Sequence, residues 1–176
     1  MAESDCWGFD TLQIHAGSTP EPVTGARIPP IFASTSFVYE SVEEAAASFR
    51  LEGDGYDYSR ISNPTNTVVE DRISALEGGV AAVATASGQS ATSLVRLNRV
   101  RSGDHSVASS QLYGGSTNLL LKRFAELGIA VTLVRDLTDL DSWREAIQPN
   151  TRAFFAESIG NPLGAVLDID AVSEIA

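Results

Sequence analysis

Gly78-Gly-Val-Ala-Ala-Val-Ala-Thr-Ala-Ser-Gly-Gln-Ser-Ala91 is the stretch that decides how the chain is read. Val80 to Ala84 with Ala86 is an apolar run of small residues, fit for a buried strand. Ser87-Gly-Gln89 reads as a tight turn. From Ser90 to Val100 the apolar residues Ala91, Leu94, Leu97 and Val100 recur about once per helical turn. A small-residue turn feeding a helix offers unpaired backbone N–H groups and the positive end of a helix dipole. Such a place accepts a phosphate, although many such turns bind nothing.

Working outward, strand and helix patterns alternate. Strands are expected at His105 to Ser109, Ile129 to Val134 and Thr151 to Glu157. Helices are expected from Thr117 to Leu127, closed by Gly128, and around Trp143 to Ile147. Gln111 to Ser116 reads as a loop. This alternation predicts an α/β fold with a mostly parallel sheet and helices on both faces. Ligands of such sheets sit at the carboxyl ends of strands. The candidate site therefore comprises Ser87, Gly88, Gln89 and Ser90, the loop at Tyr113, and Glu157 to Asn161.

Residues 1–65 read differently. Pro20, Pro22, Pro29 and Pro30 interrupt regular structure. Ser41-Val-Glu-Glu44 has the pattern of a capping box, and Gly53 to Arg60 is a polar, aromatic loop. This part is expected to be an extended arm that lies on another subunit. Asn63-Pro-Thr-Asn-Thr67 leads into a helix, with Pro64 suited to its entry, Thr67 and Glu70 as a second capping box, Val69, Ile73 and Leu76 on one face, and Gly78 at its end. Residues 66–176 form the expected large domain. The last helix, capped by Asp170, has room for about two turns, so the chain is read as part of a longer protein.

Composition narrows the function classes. Of 176 residues, 43% are hydrophobic and 20% charged, as in a soluble globular protein. The net charge of −11 argues against nucleic acid. No run suits a membrane span, and the acidic start is no signal peptide, which points to the cytoplasm. The lone Cys6 makes no internal disulfide, and His15 and His105 have no metal-site spacing. Eleven of the twelve basic residues are arginine, and the one lysine is Lys122.

Tyr58 and Arg60, two apart in an extended loop, are expected to point the same way, where Arg60 can fork onto a phosphate; a surface arginine beside a half-packed tyrosine has the same spacing. Tyr113-Gly-Gly115 offers a ring on which a flat cofactor stacks, or a plain turn. Glu157 and Asn161 follow a buried strand, and Asn161 before Pro162 is biased to extended geometry. No Walker A or dinucleotide fingerprint follows any strand.

In combination these motifs are more specific. Tyr58-Ser-Arg60-Ile-Ser-Asn63-Pro-Thr65, Ala86-Ser-Gly-Gln-Ser-Ala91, Gly103-Asp-His105, Leu112-Tyr-Gly-Gly-Ser116 and Phe154-Phe-Ala-Glu157-Ser-Ile-Gly-Asn161-Pro162 stand in an order that resembles the pyridoxal-phosphate enzymes of cysteine and methionine metabolism. Gly8 to Gly17 and Gln89 are most similar to the O-acetylhomoserine sulfhydrylase branch; many cystathionine synthases and lyases and methionine γ-lyases carry Met where Gln89 stands. The resemblance spans the chain but only the amino-terminal part of a family member. It implies a fold type I large domain binding pyridoxal 5'-phosphate, with Ser87, Gly88, Gln89 and Ser90 at the phosphate. It also implies Tyr113 on the pyridine ring, Asn161 at the phenolic oxygen and Glu157 behind them. Tyr58 and Arg60 would reach the phosphate of a neighbouring subunit in a homotetramer built from dimers. The implied reaction is γ-replacement, O-acetylhomoserine (or a related O-acyl homoserine) and sulfide giving homocysteine and acetate, with cystathionine γ-synthase or a γ-lyase as the alternative. The family's Schiff-base lysine would lie beyond Ala176, and Lys122, mid-helix beside Arg123, is expected to be solvated. The chain alone is therefore expected to be inactive. A free-standing acidic binding module is the third reading.

Overall fold

The computed structural model describes residues 7–53 and 55–176; Cys6 lies outside the described residues. The chain divides into two compact units, Met1–Ala84 and Thr85–Ala176.

Among its described residues the first unit holds three helices, α1 (Phe9–His15), α2 (Val42–Phe49) and α3 (Pro64–Glu77). The capping box at α2 forms in a shifted version. Ser41 Oγ accepts the Glu44 N–H at 3.1 Å, while the Glu44 carboxylate reaches one residue further back, to the Glu40 N–H at 2.6 Å. The second expected box does not form. Helix α3 begins earlier, at Pro64, because the Asn63 side chain accepts the Thr65 N–H and Pro64 is preset for a first helical turn. Glu70 is thereby left within the helix and accepts the Ala84 N–H at 2.7 Å. Gly78 ends α3 in the left-handed conformation, as its position predicts. Val69 and Ile73 are exposed.

Helix α1 docks on α3 at Gly17. Its φ is +70°, and a Cβ there would stand 2.7 Å from the Val68 carbonyl oxygen. Arg72 of α3 donates to the Ala16 carbonyl at 2.9 Å across the same contact. Gly17→Ala is therefore expected to lose roughly 1–2 kcal/mol from left-handed strain and backbone collision, measurable by urea unfolding of the chain. An unchanged midpoint would show that the two helices do not depend on this approach.

The second unit is a three-layer α/β arrangement. Strands β1 (His105–Ser109), β2 (Ala130–Val134) and β3 (Thr151–Phe155) form a parallel sheet in the order β2-β1-β3. The central strand β1 is buried along its whole length. Side chains alternate between two cores. Ala108 joins Val100, Leu112, Leu120 and Phe124 on one face; Val107 joins Val134, Leu137, Trp143 and Val172 on the other. The first face carries α4 (Gly88–Arg99), α5 (Gly114–Asn118), a π-helical turn (Leu119–Arg123) and α6 (Phe124–Glu126). The second carries α7 (Leu140–Glu145) and α8 (Ile169–Ser173). Asp168, not Asp170, caps α8, with its carboxylate accepting the Ala171 N–H at 3.0 Å.

Two further expectations fail. The apolar run from Val80 to Ala86 is not a strand: Val80 and Val83 are exposed and the run joins no ladder among the described residues. Composition favours a strand there, but a strand exists only where a neighbour takes up its backbone hydrogen bonds. The sheet accordingly has three strands rather than four. The inward face of α4 is also rotated: Leu94 and Leu97 are exposed, and the buried residues are Arg96 and Val100.

Candidate functional site

Ser87 is the N-cap of α4, with extended backbone, and its Oγ accepts the Ser90 N–H at 3.1 Å. The first helical bond runs from the Ala91 N–H to the Ser87 carbonyl at 3.0 Å. The N–H groups of Gly88 and Gln89 have no acceptor among the described residues. Gly88 is exposed, and a Cβ on it would meet no atom within 4 Å. A helix of twelve residues stands behind these donors. They suit an anion with several oxygens, and a phosphate fits.

Tyr113 is not in a free loop but is the residue from which α5 starts, four residues past β1. Its N–H donates to a Glu157 carboxylate oxygen at 2.9 Å. Glu157, just past β3, thus holds the start of α5 through a charge-assisted bond. The Tyr113 ring lies over Gly115, where a Cβ would come within 2.5 Å of it. Tyr113 remains 54% exposed and offers a flat aromatic surface to a ligand. Gln89 Nε2 donates to Ser116 Oγ at 3.1 Å. Gln111, which leads into Tyr113, is fixed by its N–H to Ser109 Oγ at 2.9 Å and by the close approach of Gly160 to its carbonyl.

In the second unit Gln89 and Glu157 thus both bond to the first turn of α5, at Ser116 and Tyr113, with Ser87 and Gly88 at the adjoining start of α4. Asn161 follows β3 on an exposed hairpin closed by the Ile159–Val166 bridge, and its bond to Pro162 is cis. Gly115, Ser116 and Gly160 lie within the stretches singled out above, but their particular contacts emerge only in the fold. The first two stand in the quoted Tyr-Gly-Gly-Ser motif, but the direction of Gln89 and of the tyrosine ring is not readable from spacing.

Tyr58 and Arg60 lie in the first unit. Tyr58 bridges Ser36 in a short antiparallel pair, and the chain then turns, with the Ile61 and Ser62 N–H groups donating to the Tyr58 carbonyl. The two side chains do come together, though by this turn rather than by extended alternation: the Arg60 guanidinium sits 5.1 Å from the Tyr58 ring centre. Behind them Asn63 donates to the Phe32 carbonyl and to Ser59 Oγ, each at 2.9 Å. Lys122 is exposed in the π-helical turn, as its setting predicts.

Residues 10–176 match the family of Cys/Met metabolism PLP-dependent enzymes. The chain belongs to this family. It is 50% identical over 175 residues to the O-acetyl-L-homoserine sulfhydrylase of Corynebacterium glutamicum, a match spanning 99% of this chain and 40% of that protein. The L-methionine gamma-lyase of Fusobacterium nucleatum is 39% identical over 174 residues, 99% of this chain and 44% of that one. A structure from Campylobacter jejuni, described as an O-acetylhomoserine (thiol)-lyase and solved with N'-pyridoxyl-lysine-5'-monophosphate, superposes with a TM-score of 0.89 at 35% identity. That match covers 97% of this chain and 42% of the other. The Cys/Met metabolism PLP-dependent enzymes thus share this fold, and the chain spans about two-fifths of their length. Among the described residues no helix is long and apolar enough to cross a membrane.

Proposed function

We propose that the protein to which this chain belongs catalyses γ-replacement, turning O-acetylhomoserine and sulfide into homocysteine and acetate. The observation that carries this reading is the pair of unpaired N–H groups at Gly88 and Gln89, joined through side chains to the Tyr113 platform. The 50% identity to a sulfhydrylase supports the choice of substrate. Pyridoxal 5'-phosphate, when bound, supplies an aldehyde that captures the substrate amine and a ring that withdraws electrons from it. The Gly88 and Gln89 N–H groups would hold its phosphate, with Ser87 and Ser90 shaping the turn. Tyr113 would cover one face of the ring and keep water from it, Asn161 would bond its phenolic oxygen, and Glu157 would keep Tyr113 in place. Tyr58 and Arg60 would serve the phosphate of a second copy, with residues 1–65 as the arm that reaches it. The working assembly is a dimer of dimers in the cytoplasm.

The test is a paired assay. The protein purified from its source is expected to form homocysteine from O-acetylhomoserine and sulfide. The 176-residue chain alone is expected to form none, since its one lysine is exposed on a helix. Oxo-acid release from methionine without sulfide consumption would favour a γ-lyase instead, the activity for which the Fusobacterium relative is named. Homocysteine from the isolated chain would overturn the assignment of inactivity.

A further inference from the structure

The two ligand-facing features of the second unit sit on different helices. The free N–H groups belong to the first turn of α4, and the Tyr113 ring belongs to the start of α5. A ligand with a phosphate at one end and a flat ring at the other meets both only if their separation is held. Neither helix holds it alone. Helix α5 has five residues, and its N-terminal residue makes no side-chain cap. The polar side chain that spans the gap is Gln89. Its backbone N–H belongs to the first turn of α4, while its carboxamide donates to Ser116 Oγ at 3.1 Å. Ser116 is 4% exposed, so this hydroxyl is out of solvent and would otherwise lack that partner. The Glu157 carboxylate holds the same short helix from the other side, at the Tyr113 N–H.

We infer that the Gln89 side chain is a positioning group that clasps α5 to α4 through Ser116 and so sets the distance between the phosphate donors and the Tyr113 ring. This rests on the cofactor reading above, and it concerns a part of Gln89 that the phosphate does not touch. Gln89→Met keeps the backbone donor, the length and most of the volume while removing the clasp. Ser116→Ala removes it from the other end.

The full 176-residue chain is titrated with pyridoxine 5'-phosphate, which has no aldehyde to react with Lys122, and separately with inorganic phosphate. Amide hydrogen exchange of residues 113–117 is followed without ligand. Each single variant is expected to bind pyridoxine 5'-phosphate about 3–10-fold more weakly, the worth of one hydrogen bond. The double variant is expected to be no weaker than either single one, because both remove the same bond. Affinity for inorganic phosphate is expected to stay unchanged, and exchange at residues 113–117 to quicken in all three variants. Equal losses for both ligands would place Gln89 in phosphate binding alone and overturn the inference, as would additive losses. If the unaltered chain binds neither ligand, the cofactor reading fails; exchange then decides the clasp, and unchanged rates would overturn it.

Discussion

Arg96→Leu is expected to make the second unit more stable, by about 1–4 kcal/mol, a change seen in thermal or urea unfolding. Arg96 is 3% exposed, and none of its three guanidinium nitrogens has a hydrogen-bond partner among the described residues. Its compensation is aromatic: the guanidinium carbon stands 5.1 Å from the Phe155 ring centre and 5.5 Å from that of Phe124. Two such contacts, worth up to about 2 kcal/mol each when desolvated, offset only part of the cost of taking a cation out of water. Leucine fills a similar space against Phe124 and Phe155 without that cost. Burial pushes the arginine down to about 10. For a basic group whose folded value is lowered, the unfolded chain holds the proton more firmly, so stability rises with pH above the folded value. The gap between Arg96→Leu and the unaltered protein is therefore expected to be full at neutral pH and to narrow as pH rises through about 10. A leucine variant less stable than the parent would mean that the aromatic sandwich outweighs desolvation.

His105→Ala is expected to cost about 3–5 kcal/mol, combining a cavity with hydroxyls left unpaired. The imidazole is fully buried on the central strand, and its two nitrogens bond Thr151 Oγ1 at 2.7 Å and Thr132 Oγ1 at 2.9 Å. One side chain thus joins all three strands, β3 through Nδ1 and β2 through Nε2. Thr151 Oγ1 also accepts the Gln148 N–H at 2.8 Å, which ties the entry of β3 to the same group. Burial pushes the imidazole below its ordinary value of 6.5. The sign follows: the folded protein keeps the ring neutral while the unfolded chain takes up the proton, so this stability is present above the unfolded value and is lost as pH falls below it. The midpoint of urea unfolding is expected to drop between pH 7 and 5 in the parent, with a shallower drop in His105→Ala. Parallel pH profiles would show that His105 does not carry that dependence.

What sequence alone determined is local or combinatorial. Ser41 as a helix cap, Gly78 as a stop, and the strands at His105, Ile129 and Thr151 are legible because capping, glycine conformation and β-branched runs act over a few residues. Family membership is legible for another reason, since the order of five motifs from Tyr58 to Pro162 is far rarer than any one of them. Tertiary structure decided what depends on neighbours distant in the chain. The run from Val80 to Ala86 has strand composition and no ladder. Helix α4 buries Arg96 where periodicity selects Leu94 and Leu97, because its packing against β3 and α5 picks the stripe, and hydrophobicity along one helix does not know which side faces a sheet. The Gln89–Ser116 and Glu157–Tyr113 bonds join residues 27 and 44 positions apart, and the His105 bonds cross three strands. Side-chain direction at such separations is set by how the sheet brings helix starts together, which no local pattern encodes.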